Sequence, residues 1–162
     1  MATIAKNRIV RQGSLIPVFA NAQPLVSSAI SWNQGDLLYL DTVNHLLKPV
    51  TADADGATFA GIAQQTVISG RPRPVYQGTA VDASAAIEAL AGPQHGCDAL
   101  MKLKSGDVFV AGGLVYATAV DAQTVSSAGT NAIGVFVDAG LTAVSGSQGV
   151  VRLSQKVAAL EL

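Results

Sequence analysis

Apolar and polar positions alternate along this chain in short blocks. Runs rich in Val, Ile and Leu are broken every few residues by Gly, Asp or Asn, the pattern of strands joined by turns. Leu37-Leu38-Tyr39-Leu40 follows Gly35-Asp36 and stops at Asp41. The run 59–68 contains Gly61, Ile62, Ala63, Val67 and Ile68. Ala99, Met101 and Leu103 alternate with Leu100, Lys102 and Lys104, so a strand there has one apolar face and one largely basic face. Val108 to Ala111, Leu114 to Val120, Ile133 to Val137 and Val150 to Leu153 read as further strands. Gly112-Gly113 between two of them predicts a tight hairpin. One segment departs from this rhythm. The alanine-rich stretch 82–93 predicts a short helix over Ser84 to Ala91, capped by Asp82 or Ser84 and stopped by Gly92-Pro93. The loop Gln94-His95-Gly96-Cys97 then returns the chain to strand.

The pattern also repeats. Gly35-Asp36-Leu37-Leu38-Tyr39 is echoed by Gly106-Asp107-Val108-Phe109-Val110, and Ala60-Gly61-Ile62-Ala63 by Ile133-Gly134-Val135-Phe136, at a nearly constant spacing. A duplicated β unit buries one continuous core between two similar halves. The predicted fold is mainly β: a compact barrel-like or sandwich-like single domain of two similar half-units, with one short helix. The domain spans 15–154, with half-units at about 30–81 and 98–154 and the helical insert at 82–97. An extended arm, 1–14, precedes it. A short tail, 155–162, follows and ends in the apolar Val157-Ala158-Ala159-Leu160-Glu161-Leu162.

Composition sharpens the functional picture. The chain has 162 residues, of which 49% are apolar and only 13% charged. That is about half the charge of an ordinary soluble domain. With ten basic and eleven acidic residues the net charge is −1, which argues against a nucleic-acid partner. Few charges and a net charge near zero favour association, so much of the surface is expected to meet protein. A β domain with a Ser/Thr-rich solvent face is the plainer alternative. No apolar run approaches the roughly 20 residues of a membrane span. The start of the chain has cations before Leu15-Ile16-Pro17-Val18-Phe19, but that apolar centre is short for a secretory signal. The chain therefore reads as made in the cytoplasm.

Little in the sequence points to catalysis. Cys97 is the sole cysteine, so no internal disulfide forms. His95 lies beside it, yet no third group to orient the pair is evident. His45 and His95, the only histidines, lack metal-ligand spacing. Thr51-Ala52-Asp53-Ala54-Asp55-Gly56 echoes a calcium loop, but Thr51 and Ile62 stand where its terminal acids belong. Asp53 and Asp55 read instead as local turn formers. The chain is expected to be no enzyme and to need neither cofactor nor metal. Two basic features remain. Lys6, Arg8 and Arg11 lie on a stretch with no acid before Asp36, and Arg71-Pro72-Arg73-Pro74 holds two guanidiniums on an extended, donor-poor backbone. Each suits docking on an acidic protein surface, or equally a solvated tail and a protected sheet edge.

Gly35-Asp36-Leu37-Leu38-Tyr39-Leu40, then Lys48-Pro49-Val50-Thr51-Ala52-Asp53, then Phe59-Ala60-Gly61-Ile62-Ala63 resembles the capsid cement, or head-decoration, proteins of tailed phages. Gly106-Asp107-Val108-Phe109-Val110 through Gly134-Val135-Phe136 looks like the same pattern again, and the resemblance runs over about 8–154. Residues 82–97 have no place in the family's pattern. The resemblance implies a β-rich virion protein on the outer surface of the head, bridging neighbouring subunits of the major capsid protein, commonly as a homotrimer and without catalytic residues. Lys6, Arg8, Arg11, Arg71 and Arg73 are then the capsid-binding residues. The alternative is a carbohydrate-binding β module on a tail or cell surface, with Trp32 as its aromatic platform.

Overall fold

The computed structural model describes residues 8–11, 17–20, 30–44, 46–63, 66–68, 71–72, 87–90 and 97–154. The chain is mainly β, and its strands form a compact sandwich-like domain. β1 (Arg8–Arg11) comes first. The first half then supplies β2 (Pro17–Ala20), β3 (Leu37–Asp41), β4 (Leu46–Pro49), β5 (Phe59–Ala63), β6 (Val67–Ile68), β7 (Arg71–Pro72) and β8 (Ile87–Leu90). The second half supplies β9 (Cys97–Leu103), β10 (Val108–Phe109), β11 (Leu114–Ala117), β12 (Thr124–Ser126), β13 (Ala132–Phe136), β14 (Leu141–Thr142) and β15 (Gln148–Leu153).

The two halves share one strand order. The first sheet runs β2-β8-β5-β3-β4, and the second runs β9-β15-β13-β11-β12. The register matches residue for residue. Leu37 faces Ile62, Leu38 faces Gly61 and Tyr39 faces Phe59. Likewise Leu114 faces Val135, Val115 faces Gly134 and Tyr116 faces Ala132. Each ladder skips one residue at the same step, Ala60 in one and Ile133 in the other, which is a β-bulge. The Trp32–Val67 bridge of the first half corresponds to the Phe109–Leu141 pair of the second.

The duplication is therefore present, with its first limb displaced from the sequence reading. The partner of Gly35-Asp36-Leu37-Leu38-Tyr39 is Gly112-Gly113-Leu114-Val115-Tyr116, six residues beyond Gly106-Asp107. The reason is a turn that the chain uses repeatedly. Gly35, Gly106 and Gly112 have φ of 92°, 90° and 79°, the third position of a type II turn. In each case the turn is pinned to one facing residue by two backbone hydrogen bonds: Ala63 at Gly35-Asp36, Ala143 at Gly106-Asp107 and Phe136 at Gly112-Gly113. Two Gly-Asp turns look alike in sequence, but only the Gly-Gly turn leads into the equivalent strand. For the same reason Gly112-Gly113 does not close a hairpin: β10 pairs with β14, and β11 pairs with β12 and β13.

Three further expectations change. Ile87–Leu90 is a strand between β2 and β5, not part of a helix. Alanine's preference for helix amounts to tenths of a kcal/mol per residue, and two flanking ladders outweigh it. β2 and β8 thereby extend the first half beyond 30–81, and the rest of 82–96 lies outside the described residues. The short helix lies elsewhere, as a 3₁₀ segment at Asp53–Thr58. Finally, within the expected extended arm, Arg8–Arg11 forms a strand that pairs antiparallel with β9.

The second sheet closes on itself. β9 pairs with β15 along one edge; along the other it takes β1 and then, in parallel, β12. Inside it Ala99, Met101, Phe109, Val115, Ile133, Phe136, Val151 and Leu153 are buried, and the Phe109 and Phe136 rings stand 5.3 Å apart. The predicted apolar face of β9 is the inner one. Leu37, Val50, Phe59 and Ile62 of the first half join this same core. A smaller cluster on the other face of the first sheet gathers Ile30, Trp32, Leu38, Leu40, Leu47, Ala60, Ala63 and Val67. Leu37 and Leu38 thus point to opposite faces and both are buried, which explains the unbroken apolar run after Gly35-Asp36.

Candidate functional site

The halves meet along a polar seam above the shared core. The loop 118–123, between β11 and β12, docks on the start of β3. There Leu37 N–H donates to the Ala122 carbonyl. Gln123 Nε2 donates to Asp36 Oδ1 at 2.8 Å. In return the 3₁₀ segment packs on β11 and β13. Asp53 accepts the N–H groups of Thr130 and Asn131, so its role is long-range rather than a local turn. Asp55 does act locally, accepting Thr51 N–H, Thr51 Oγ1–H and Ala52 N–H. A Cβ on Gly129 would lie 2.5 Å from Asp53 Oδ1 and 2.7 Å from Tyr116 Cβ, so glycine is what lets the loop approach both.

The surface beside this seam carries an apolar hollow. It has a volume of about 260 Å³ and is lined by Val108, Phe109, Val110, Gly113, Leu114, Tyr116, Ser127 and Phe136. Val108, Val110 and Leu114 are 58%, 57% and 52% exposed. Sequence reading missed this site because Val108-Phe109-Val110 is apolar at every position and reads as a buried strand. Only Phe109 is buried. The available signal was alternation that fails next to a glycine turn. Val43, Val120, Val137 and Val144 are further exposed apolar side chains.

Charged groups in this domain mostly fasten turns and strands. Asp41 accepts Lys48 Nζ, Asn44 Nδ2 and the N–H groups of Asn44 and Val43. The bonds from Lys48 and Asn44 hold its carboxyl well below the usual carboxylate range. At Asp107 burial pushes the carboxyl up, but hydrogen bonds from Ser126 and Ser127 and the Lys104 charge outweigh it and leave it low. Asp98 and Arg152, opposite each other on β9 and β15, form a two-pronged ion pair at 2.8 and 3.1 Å.

The predicted docking residues are only partly placed. Arg8 and Arg11 lie on β1, opposite Leu100 and Asp98, and Arg71 lies on β7, opposite Ile68. The pairings put them in different sheets, and their side chains are not among those described. Lys6, Arg73, His45 and His95 lie outside the described residues, and Cys97 is the first residue of β9. Trp32 is 3% exposed, so it offers no platform to a sugar ring, and that reading loses its residue. Among the described residues no group of three His, Cys, Asp or Glu side chains is placed to hold a metal, and no helix is long and apolar enough to cross a membrane. Compared with known proteins, the chain matches no family model, no curated protein and no solved structure.

Proposed function

We propose that this chain is a structural protein of a tailed-phage particle, a cement protein that binds the outer surface of the head and bridges neighbouring major capsid subunits. One observation carries the reading. A domain with only 13% charged residues leaves valines and a leucine standing in solvent along one hollow and at several loop tips. Clustered exposed apolar side chains mark a surface that meets protein. The resemblance of the Gly-Asp strand units to the head-decoration family supplies the partner, and a homotrimer is the arrangement that family suggests.

In this reading the protein acts by mass action. A component that binds only the assembled shell stabilises the shell by its binding free energy, repeated at every site. β1 ends its sheet, and an edge strand carrying Arg8 and Arg11 suits an acidic neighbour. The test is co-sedimentation of the purified chain with phage heads stripped of it. Saturable binding is expected, weakened by Arg8→Gln with Arg11→Gln, which keeps the strand in place. A chain that never sediments with heads overturns the assignment.

A further inference from the structure

The halves carry matching main-chain groups, and around the apolar hollow several are left unmet. Among the described residues the chain has a fourth glycine turn, 144–147, with Gly146 at φ 84° and Ser147 N–H donating to the Val144 carbonyl. In three of these four turns the first residue's N–H finds an acceptor. Asn33 donates to Asp36 Oδ2, Lys104 to the Val125 carbonyl and Val144 to Ser147 Oγ. The remaining turn begins at Val110 and has Gly113 where its twin has Asp36. With no side chain there, Val110 N–H has no acceptor among the described residues. The start of the central strand differs in the same way. Leu37 N–H donates to the Ala122 carbonyl, and the Leu37 carbonyl accepts Val50 N–H. At the twin position Phe136 N–H donates to the Gly113 carbonyl, so Leu114 turns its main chain away from β13. β12 ends at Ser126, and Ala128 N–H, the twin of Val50 N–H, donates to Ser126 Oγ. Neither main-chain group of Leu114 has a partner among the described residues.

A third set lies on β10. Ala143 N–H donates to the Asp107 carbonyl and Phe109 pairs with Leu141. Val108, between them, therefore turns its N–H and carbonyl away from β14. Among the described residues no strand lies on that side of β10. Val108, Val110 and Leu114 are each more than half exposed, and all three line the hollow. Unmet N–H and C=O groups on a strand edge are a template for another strand, and a side-chain pocket beside them selects which one. The first half shows the equivalent surface filled: the loop 118–123 lies on it, with a main-chain carbonyl on Leu37 N–H. Charge narrows the occupant. The stretches 108–120 and 122–137, which form the hollow, contain no charged residue, so the site suits a segment that has no ionised group to strip of water.

We propose that the hollow and the β10 edge form a strand-addition site, where an extended, uncharged segment of the major capsid protein bonds the main chain of Val108, Val110 and Leu114 and places an apolar side chain in the hollow. This rests on the cement reading and names the surface that grips the shell. The test is hydrogen exchange of the full chain, alone and bound to stripped heads, read by mass spectrometry. On heads the amides of Val108, Val110 and Leu114 are expected to exchange about tenfold more slowly, the worth of one main-chain hydrogen bond. The Val144 amide, already bonded to Ser147 Oγ, is expected to stay unchanged. A double variant, Val110→Asn with Gly113→Asp, copies the closed turn of Asn33 and Asp36. It is expected to keep the wild-type circular dichroism and to bind heads about tenfold more weakly. Should it fail to fold, the wild-type exchange still decides. Wild type that binds heads without slowing these three amides, or a folded double variant that binds as wild type does, overturns the inference and leaves the cement reading standing. Wild type that never binds heads overturns both. Slowing at the same amides in the concentrated chain without heads assigns the site to a second copy and also overturns the inference.

Discussion

Leu37 and Leu114 occupy the same register position in the two halves, and their truncation should have unequal effects. Leu37 is wholly buried in the shared core beneath the 118–123 loop, and Leu114 is half exposed. Replacing a buried leucine by alanine costs about 2–5 kcal/mol, the lost transfer energy plus a cavity. Leu37→Ala should lie near the middle, about 3 kcal/mol, because strands and the docked loop limit collapse around it. Leu114→Ala removes side chain that is already half in water and leaves no closed cavity, so about 1 kcal/mol is expected. For a domain of this size the shifts in Tm are about 6–12 °C and about 2–4 °C. The assay is urea unfolding at low micromolar concentration, read from the sole tryptophan. Trp32 is buried, and its emission will move to the red on exposure. Equal losses at the two positions would refute the assignment of Leu37 to the core and of Leu114 to the surface.

Other positions give sharper local readouts. Gly134→Ala should be severely destabilising, because its Cβ would stand 2.4 Å from the Arg152 carbonyl oxygen on β15; a Tm within about 2 °C of wild type would show that the strands part easily. Asp53→Ala leaves the Thr130 and Asn131 N–H groups without their acceptor. About 1–2 kcal/mol should be lost, with faster hydrogen exchange at those two amides. The Asp107 carboxyl is lowered in the folded protein, so its contribution is complete above the unfolded carboxylate value of about 3.9 and is lost as pH falls through the lower folded value. Urea titrations between about pH 5 and pH 2 should show a shallower acid loss in Asp107→Asn than in wild type; identical slopes would remove Asp107 from the acid response.

Short-period features were legible in the sequence. The alternation of Ala99, Met101 and Leu103 showed the inner face of β9, and the Gly-Asp turns showed where strands begin. What failed depended on contacts between distant residues. Residues 87–90 look helical alone, and only the ladders from β2 and β5 make them a strand. Gly106-Asp107 and Gly112-Gly113 are both glycine turns, and the choice between them as the repeat rests on which facing residue each one captures. Asp53 resembles a local turn former until Thr130 and Asn131 arrive from the other half. The apolar hollow was hidden because Val108 and Val110 have the composition of core but the exposure of surface.

Twin halves with one strand order bring a hazard of their own: during folding, β15 can be offered to the partners of β8, and β9 to those of β2. The Asp98–Arg152 pair distinguishes them. By register, Asp98 takes the place of Pro17, and Arg152 that of Leu90. A crossed assembly would set Arg152 against a proline and leave the nearly buried Asp98 carboxylate facing a leucine. The correct partner meets the carboxylate with two hydrogen bonds from Arg152, which a leucine cannot supply. This ion pair therefore works as an address label, with two complementary groups that only the correct pair of strands brings together.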